Sequence, residues 1–410
     1  MFRRSLTLER LEPRQLLSIT VNTLNDELDG NIHDGDVSLR DALLAAAPFE
    51  TINFDPALTQ SGSAILNLKL GELRITKDVV IEGPGSALLT IDASGNDPTP
   101  NTDQGDGSRV FTVNNGSAFT NIDVTINGLN LTGGDALQDG GAIRNFENLT
   151  GIDLVITGNA AHRHGGAVFS SGSLVLINST VSGNTATGNG GAIFSSGSYV
   201  SISNSGINGN SGLSGGGIAI NAPSNYLTIS NSEMAGNHAT SSGGAIQDAD
   251  GNLRILDSTF SNNSAGGNGG VLDLADSVLL VTNSTLSNNR AYSGNGGALH
   301  ADSTTTTITG TTLNSNSSGG SGGAISVSGG TLTLTGGSLS FNNVSGNGGA
   351  IYADAETVDL QQLTITGNTA ANGGGIWTHN GSLSVTESTI SGNRAFNSGG
   401  AVFDNGAPLT

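Results

Sequence analysis

Hydrophobic positions in this chain recur in columns, not in helical faces. Eleven times two glycines precede a small residue, Val271 in one copy, and then an aliphatic one, about every 25 to 28 residues. The aliphatic positions are Ile143, Val168, Ile193, Ile218, Ile246, Leu272, Leu299, Ile325, Ile351, Ile376 and Val402. A second apolar column holds Ile156, Val181, Ile207, Met234, Phe260, Leu286, Leu313, Leu339, Ile365 and Ile390. Three residues after each of these stands an asparagine: Asn159, Asn184, Asn210, Asn237, Asn263, Asn289, Asn316, Asn342, Asn368 and Asn393. Self-similarity at this period marks a solenoid, in which each unit buries its apolar side chains only against its neighbours.

One unit, GGAVFSSGSLVLINSTVSGN from Gly165 to Asn184, shows how a coil is built. It predicts three short strands, Ala167 to Phe169, Leu174 to Ile177 and Thr180 to Ser182, separated by Gly, Ser and Asn turns. No stretch of the repeat carries an apolar 3.6-residue period, so the fold class is all-β: a right-handed parallel β-helix, with the hand taken from the crossover rule. The recurring asparagine suits left-handed turn backbone and an amide ladder from coil to coil. The glycine pair reads as turn chemistry, because a phosphate-binding glycine loop needs a following helix.

Upstream of the regular coils, SLRDALLAAA predicts the one helix, with Ser38 as N-cap and Asp41 in a variant capping box. Leu39, Ala42, Leu43 and Ala46 share a face that suits a cap on the open end of the solenoid. Strand-like pieces follow at Thr51 to Phe54, Ala64 to Leu68, Glu72 to Thr76, Val79 to Ile81 and Leu88 to Ile91. The acidic stretch Asn96 to Gly107 reads as a loop thrown out from the rod. The organisation expected is an export-type segment at 1–18, a cap with irregular opening coils at 19–135, and about eleven regular coils at 136–410.

Composition narrows the function classes. Charged residues are 12% of the 410, and the net charge of −20 reflects only 14 Lys plus Arg, so there is no basic stripe for nucleic acid. No cysteine is present, which removes disulfides and thiolate chemistry. No apolar run approaches the roughly 18 residues of a membrane-spanning helix.

Two kinds of chemistry remain. The residue after the recurring aliphatic points outward if the aliphatic points inward, and there stand Tyr352, Trp377 and Phe403 in successive coils, with Phe169 and Phe194 earlier. These are the ligand-binding candidates; bland cross-strand packing competes with that reading. Asp248, Asp250, Asp273, Asp276, His300 and Asp302 lie just beyond the glycines, and the carboxylates among them offer oxygen ligands for Ca²⁺. If the rod is an enzyme, Asp248, Asp273, Asp276, His300 and Asp302 carry it, although Arg254 and Arg290 belong to other parts of the repeat. No metal site or cofactor is assigned, with Ca²⁺ the one ion left open. The acidic stretch Asn25 to Asp36 fails as an EF-hand for want of its terminal Glu and flanking helices, and His162-Arg163-His164 lacks a third ligand.

The segments GDVSLRDALLAAA, TINF, GELRIT, VVIEGPG and SRVFTV resemble the N-terminal region of bacterial surface β-helix proteins named for a CSLREA motif, with Val37 at the motif's Cys and Asp41 at its Glu. The GGAI and SGN repeats resemble those of polymorphic outer-membrane proteins. MFRRSLTLERLEPRQLLS resembles the LEPR-xLL segment of large exported bacterial proteins. These resemblances imply an exported surface protein, often adhesive. The function expected is a secreted or cell-surface, outer-membrane-associated, adhesin-like scaffold that binds a glycan or surface protein along its face. The alternatives are a Ca-dependent polysaccharide lyase or other glycan-degrading enzyme, and a passive spacer. The last coil lacks a cap, so end-to-end self-association or continuation beyond Thr410 is expected.

Overall fold

The computed structural model describes residues 18–100 and 102–406, which form a parallel β-solenoid of about 14 turns with a single α-helix. The predicted export-type segment lies almost wholly outside the described residues. A representative coil runs through strands Val168–Ser170, Ser173–Ile177, Thr180–Ser182 and Thr185–Ala186. The first three match the expected strands. The fourth has only two residues, too few to show a period of two in sequence, yet its copies stack into an eleven-stranded sheet. The strands that follow the glycines stack into a thirteen-stranded sheet, and the two middle strands form a sheet of 25.

The coils sit on one another in parallel and in register, apart from a bulge between Ala370 and Asn372. Val168 pairs with Ile193, which pairs with Ile218, and Val181 pairs with Ile207, which pairs with Met234. Like therefore stacks on like along the bore. Ile193, Ile207, Ile218, Met234 and Phe260 are fully buried in one continuous apolar core. At about 1.5–3 kcal/mol per fully buried aliphatic or aromatic side chain, the two columns are the main favourable term for each coil.

The turns follow from residues that accept left-handed backbone. Asn178, Asn204, Asn231, Asp257 and Asn283 take φ of 48° to 50° between the two middle strands. The glycine pair divides its labour. Gly190 has φ of 71°, whereas Gly191 is required for space, since a Cβ there would run into the carbonyl oxygen of Gly216 in the next coil.

The recurring asparagines correct one expectation. Left-handed backbone falls on the residue before each of them, such as Gly183, Gly209, Asn262 and Ser315, and not on the ladder asparagines. Their role is the ladder. The Nδ2 of each donates to Oδ1 of the next from Asn159 to Asn393, at 2.9 to 3.1 Å. The backbone N–H of Asn184 also donates to Oδ1 of Asn210 at 3.0 Å, and its second amide hydrogen reaches the Ile156 carbonyl at 3.0 Å. Each interior amide is thus buried with its donors and acceptor engaged, which is the condition for tolerating it there. A second ladder runs beside it: the N–H groups of Ser179, Ser205, Ser232 and Ser258 donate to the hydroxyl of the next coil at 3.0 to 3.2 Å.

At the N-terminal end the helix spans Leu39–Ala45, with Ser38 Oγ accepting from the Asp41 N–H at 3.0 Å. Leu39, Ala42, Leu43 and Ala46 are buried as the shared face requires, and the helix packs on strands Ser18–Val21 and Leu73–Ile75. The Lys77 ammonium donates to the carbonyls of Leu44 and Ala46, closing the helix C-terminus. The opening strands occupy Glu50–Phe54, Ala64–Asn67, Leu73–Ile75, Val79–Glu82 and Leu89–Asp92, close to the expected ranges.

Replacing Asn237 by Ala strands two donors of Asn210 and the Ile207 carbonyl in the bore. The expected loss is about 3 kcal/mol, from about 1–3 kcal/mol for each buried group left unsatisfied. Asn393→Ala, at a half-buried rung, should cost clearly less. Urea denaturation of both variants beside the wild type checks the contrast, and equal losses would remove burial of the ladder as the cause.

Candidate functional site

The thirteen-stranded sheet carries the residues of interest because its strands follow the glycine turns that all coils share. Its outward positions form two columns. In the first, Gln247, Asp273, His300, Ser326, Tyr352, Trp377 and Phe403 are successive register partners. In the second, two residues further along each strand, Ala275, Asp302, Ser328, Asp354 and His379 follow one another.

This register sorts the acidic candidates. Asp273 and His300 come together across adjacent coils, with Oδ1 2.7 Å from Nδ1. Asp302 lies in the neighbouring column and is exposed, while Asp250 and Asp276 occupy left-handed turn positions at φ of 62° and 47°. Arg254 lies in the central strand Asn252–Leu256 and Arg290 opens the short strand Arg290–Ala291, stacked over Tyr292, so neither reaches the Asp273–His300 pair.

Asp248 goes the other way. It lies on the bore side between Ile220 and Leu274, with no exposed surface, and does not share the face of Asp273. Asn225 Nδ2 donates to its Oδ1 at 3.0 Å, and its Oδ2 has no hydrogen-bond partner. Burial pushes its carboxyl up to about 7, against the lowering effect of the Asn225 amide. The period-two count from the glycines would have placed it inside, because it is two residues beyond Ile246.

The aromatic column forms as expected but is less open than a row of outward rings. Tyr352 and Trp377 stack with ring centres 4.5 Å apart and planes 5° from parallel. Trp377 is only 8% exposed, with the Tyr352 ring stacked on one of its faces. The ring of His379 lies 5.9 Å from that of Trp377, and its Nδ1 is 3.4 Å from Asp354 Oδ1. Asp354 and His379 were missed from sequence, although their position two residues after Tyr352 and Trp377 places them on the same face. The face therefore carries two Asp–His pairs, each formed across adjacent coils, flanking a Tyr–Trp stack. From Asp273 to Tyr352 is three strand spacings, about 14 Å.

A second aromatic group forms nearer the N-terminus. Phe169 and Phe194 stack at 5.7 Å, the His164 ring lies 4.5 Å from Phe194, and the Arg144 guanidinium sits 4.9 Å over Phe146. His164 Nδ1 accepts the Asn189 N–H at 3.0 Å, and burial holds its imidazole below the ordinary value. His162 donates from Nε2 to the Asp103 carbonyl at 2.8 Å. The two imidazoles thus serve packing and loop anchoring, not a shared ligand. In the stretch Asn25 to Asp36, Asp26 is taken up by Arg40 at 2.7 Å and by the N–H groups of Lys69 and Leu70.

Residues 178–196, 257–273, 283–302 and 362–379 match the Chlamydia polymorphic membrane protein repeat. Each stretch opens on the left-handed residue between the middle strands, passes through a ladder asparagine and the glycine pair, and ends in or just beyond the following strand. The matched pattern is therefore the turn and ladder chemistry of the coil, and it includes Asp273, His300, Asp302, Trp377 and His379. Among solved structures, the A-module of the Azotobacter vinelandii mannuronan C-5 epimerase AlgE6 is similar at 14% identity and a TM-score of 0.44. That alignment covers 91% of this chain and 94% of that one. A search of the curated proteins finds no match. The chain is a parallel β-solenoid with four stretches similar to the polymorphic membrane protein repeat.

Asp248 predicts a pH dependence. Its folded-state pKa lies above that of the unfolded chain, so the native state holds a proton that the unfolded state has lost between about pH 4 and pH 7. Stability therefore falls as pH rises through that window and levels off above it. The contribution is at most about 4 kcal/mol at about 1.4 kcal/mol per unit. Asp248→Asn should be relatively more stable at pH 8 than at pH 4, when the two proteins are compared by urea melts at both pH values. An unchanged difference would show that Asp248 titrates normally.

Proposed function

We propose that this chain is an exported, cell-surface β-helix scaffold of the adhesin type, which binds a glycan or a surface protein along the face that holds Tyr352, Trp377 and Phe403. The observation that carries the reading is the Tyr352–Trp377 stack with the Asp354–His379 pair beside it. Rigid aromatic edges with neighbouring hydrogen-bonding groups suit the alternating apolar and hydroxylated faces of a sugar. All these side chains are held by strands, so the face is pre-organised before a ligand arrives. The membrane-protein repeats support display at a cell surface, and the CSLREA-like and LEPR-like segments support export. Among the described residues no helix is long and apolar enough to cross a membrane.

A glycan-degrading enzyme is the second reading, and the Asp273–His300 pair is what favours it. A carboxylate on Nδ1 fixes the imidazole and leaves Nε2 as a base. A Ca-dependent lyase would also need a cation beside that base. Among the described residues, no third His, Asp or Glu comes within metal-holding reach of Asp273 and His300. The scaffold reading needs no such group, and the passive spacer leaves the two flanking Asp–His pairs without a role.

The test is a panel of acidic and neutral polysaccharides, with and without Ca²⁺, followed by Trp377 fluorescence and by absorbance of unsaturated products. The expected result is saturable binding without turnover, weakened about tenfold or more, or at least about 1.4 kcal/mol, by Tyr352→Ala and by His379→Ala. Turnover that disappears in Asp273→Ala and His300→Ala would establish the enzyme instead. Silence in both channels would turn the search to protein partners.

A further inference from the structure

The acidic segment expected to stand away from the rod is folded against it. Asn96 Nδ2 donates to Ser108 Oγ at 2.8 Å, the Asp103 carbonyl accepts from His162, and Asp106 bridges to Ala136 in antiparallel fashion. This brings the carboxylates of Asp97, Asp106 and Asp135 together, with one oxygen of each within 4.8 Å of the others. Asp135 opens the two-residue strand Asp135–Ala136 of the first regular coil.

Asp135 points beyond a mere crowd of acids. It is only 4% exposed, and its Oδ2 already accepts the Gln104 N–H at 3.1 Å and the Gly105 N–H at 2.7 Å. Its Oδ1 is buried with no hydrogen-bond partner. A buried carboxylate oxygen without a donor, facing two further carboxylates, is costly unless a cation completes it. Among the described residues no Lys, Arg or His forms an ion pair with any of the three.

We propose that Asp97, Asp106 and Asp135 hold a calcium ion that fastens the acidic segment to the first regular coil. All the donors are hard oxygens, the set that Ca²⁺ prefers, and with one oxygen of each within 4.8 Å of the others they are close enough to share one ion. Mg²⁺ demands near-ideal octahedral geometry and gives up its waters reluctantly, so three carboxylates brought together from a loop and a coil suit it less. The site lies many coils from Tyr352, so the proposal stands independently of the ligand-binding face.

The full chain, stripped with chelator, is titrated with CaCl₂ and with MgCl₂ by calorimetry. The amides of Gln104 and Gly105 are followed by hydrogen exchange. The expected result is one Ca²⁺ site, weaker Mg²⁺ binding, and slowed exchange at both amides once Ca²⁺ is bound. Asp106→Asn, at an exposed position that leaves the coil intact, should weaken Ca²⁺ at least tenfold, and Asp135→Asn should do the same or more. Asp123→Asn, an exposed acid elsewhere, should change nothing. Absence of Ca²⁺ binding up to about 1 mM, the weak end of protein calcium sites, would overturn the proposal. Equal affinity in wild type, Asp106→Asn and Asp135→Asn would overturn it as well, by placing the cation elsewhere.

Discussion

A coil of this protein has no core of its own, so everything depends on each coil sitting in register on the next. The asparagine ladder is the strictest form of that requirement. A buried primary amide is tolerated only with its donors and acceptor engaged. Asn184 meets that condition only because Asn159 lies on one side and Asn210 on the other. A slip of one residue would put a residue such as Gly183 or Thr185 where an amide must be, and would turn each aliphatic of the bore outward. Register, burial and polar satisfaction are thus one constraint, applied once per coil.

That constraint divides the surface into fixed and free positions. The bore column, the residue before each ladder asparagine and the second glycine are fixed, by burial, by left-handed backbone and by lack of space respectively. Outward positions on the strand after the glycines bear no such restriction, and there the sequence varies from Phe169 through Asp273 to Trp377. Variation on a rigid frame makes this face the candidate for ligand binding. Because partners stack coil by coil, a carboxylate on one coil meets an imidazole on the next, as in Asp273–His300 and Asp354–His379. Neither pair is close in sequence.

Asp248 and the three-carboxylate group show how a solenoid stores polar cost. Asp248 occupies a bore position between aliphatics, held by one amide and otherwise unpaired. Asp135 is in a similar state, with one oxygen bonded and the other bare, but it faces Asp97 and Asp106 instead of hydrocarbon. The first arrangement is relieved by a proton. The second suits a divalent cation, because three carboxylates repel one another as well as losing water.

The architecture was legible in the residues because it rests on repetition: two apolar columns, an asparagine column and a glycine pair at one period specify a stacked coil whatever the details. The helix cap was legible for a local reason, the pattern of Ser38, Asp41 and the apolar face behind them. The two-residue strands were not, since Thr185–Ala186 carries no periodicity and is defined only by its neighbours above and below. Nor was the position of the left-handed residue, where Gly183 and not Asn184 bends the chain. The candidate face was legible in part: the outward aromatic column followed from a period of two, whereas the burial of Trp377 depends on what stacks over it. The carboxylate group was the least visible, because Asp97 and Asp106 reach Asp135 only once their segment has folded back on the coil. Side-chain direction within a strand is a local property that sequence fixes. Which charges meet across coils and loops is set by stacking and closure, and only the tertiary structure decides it.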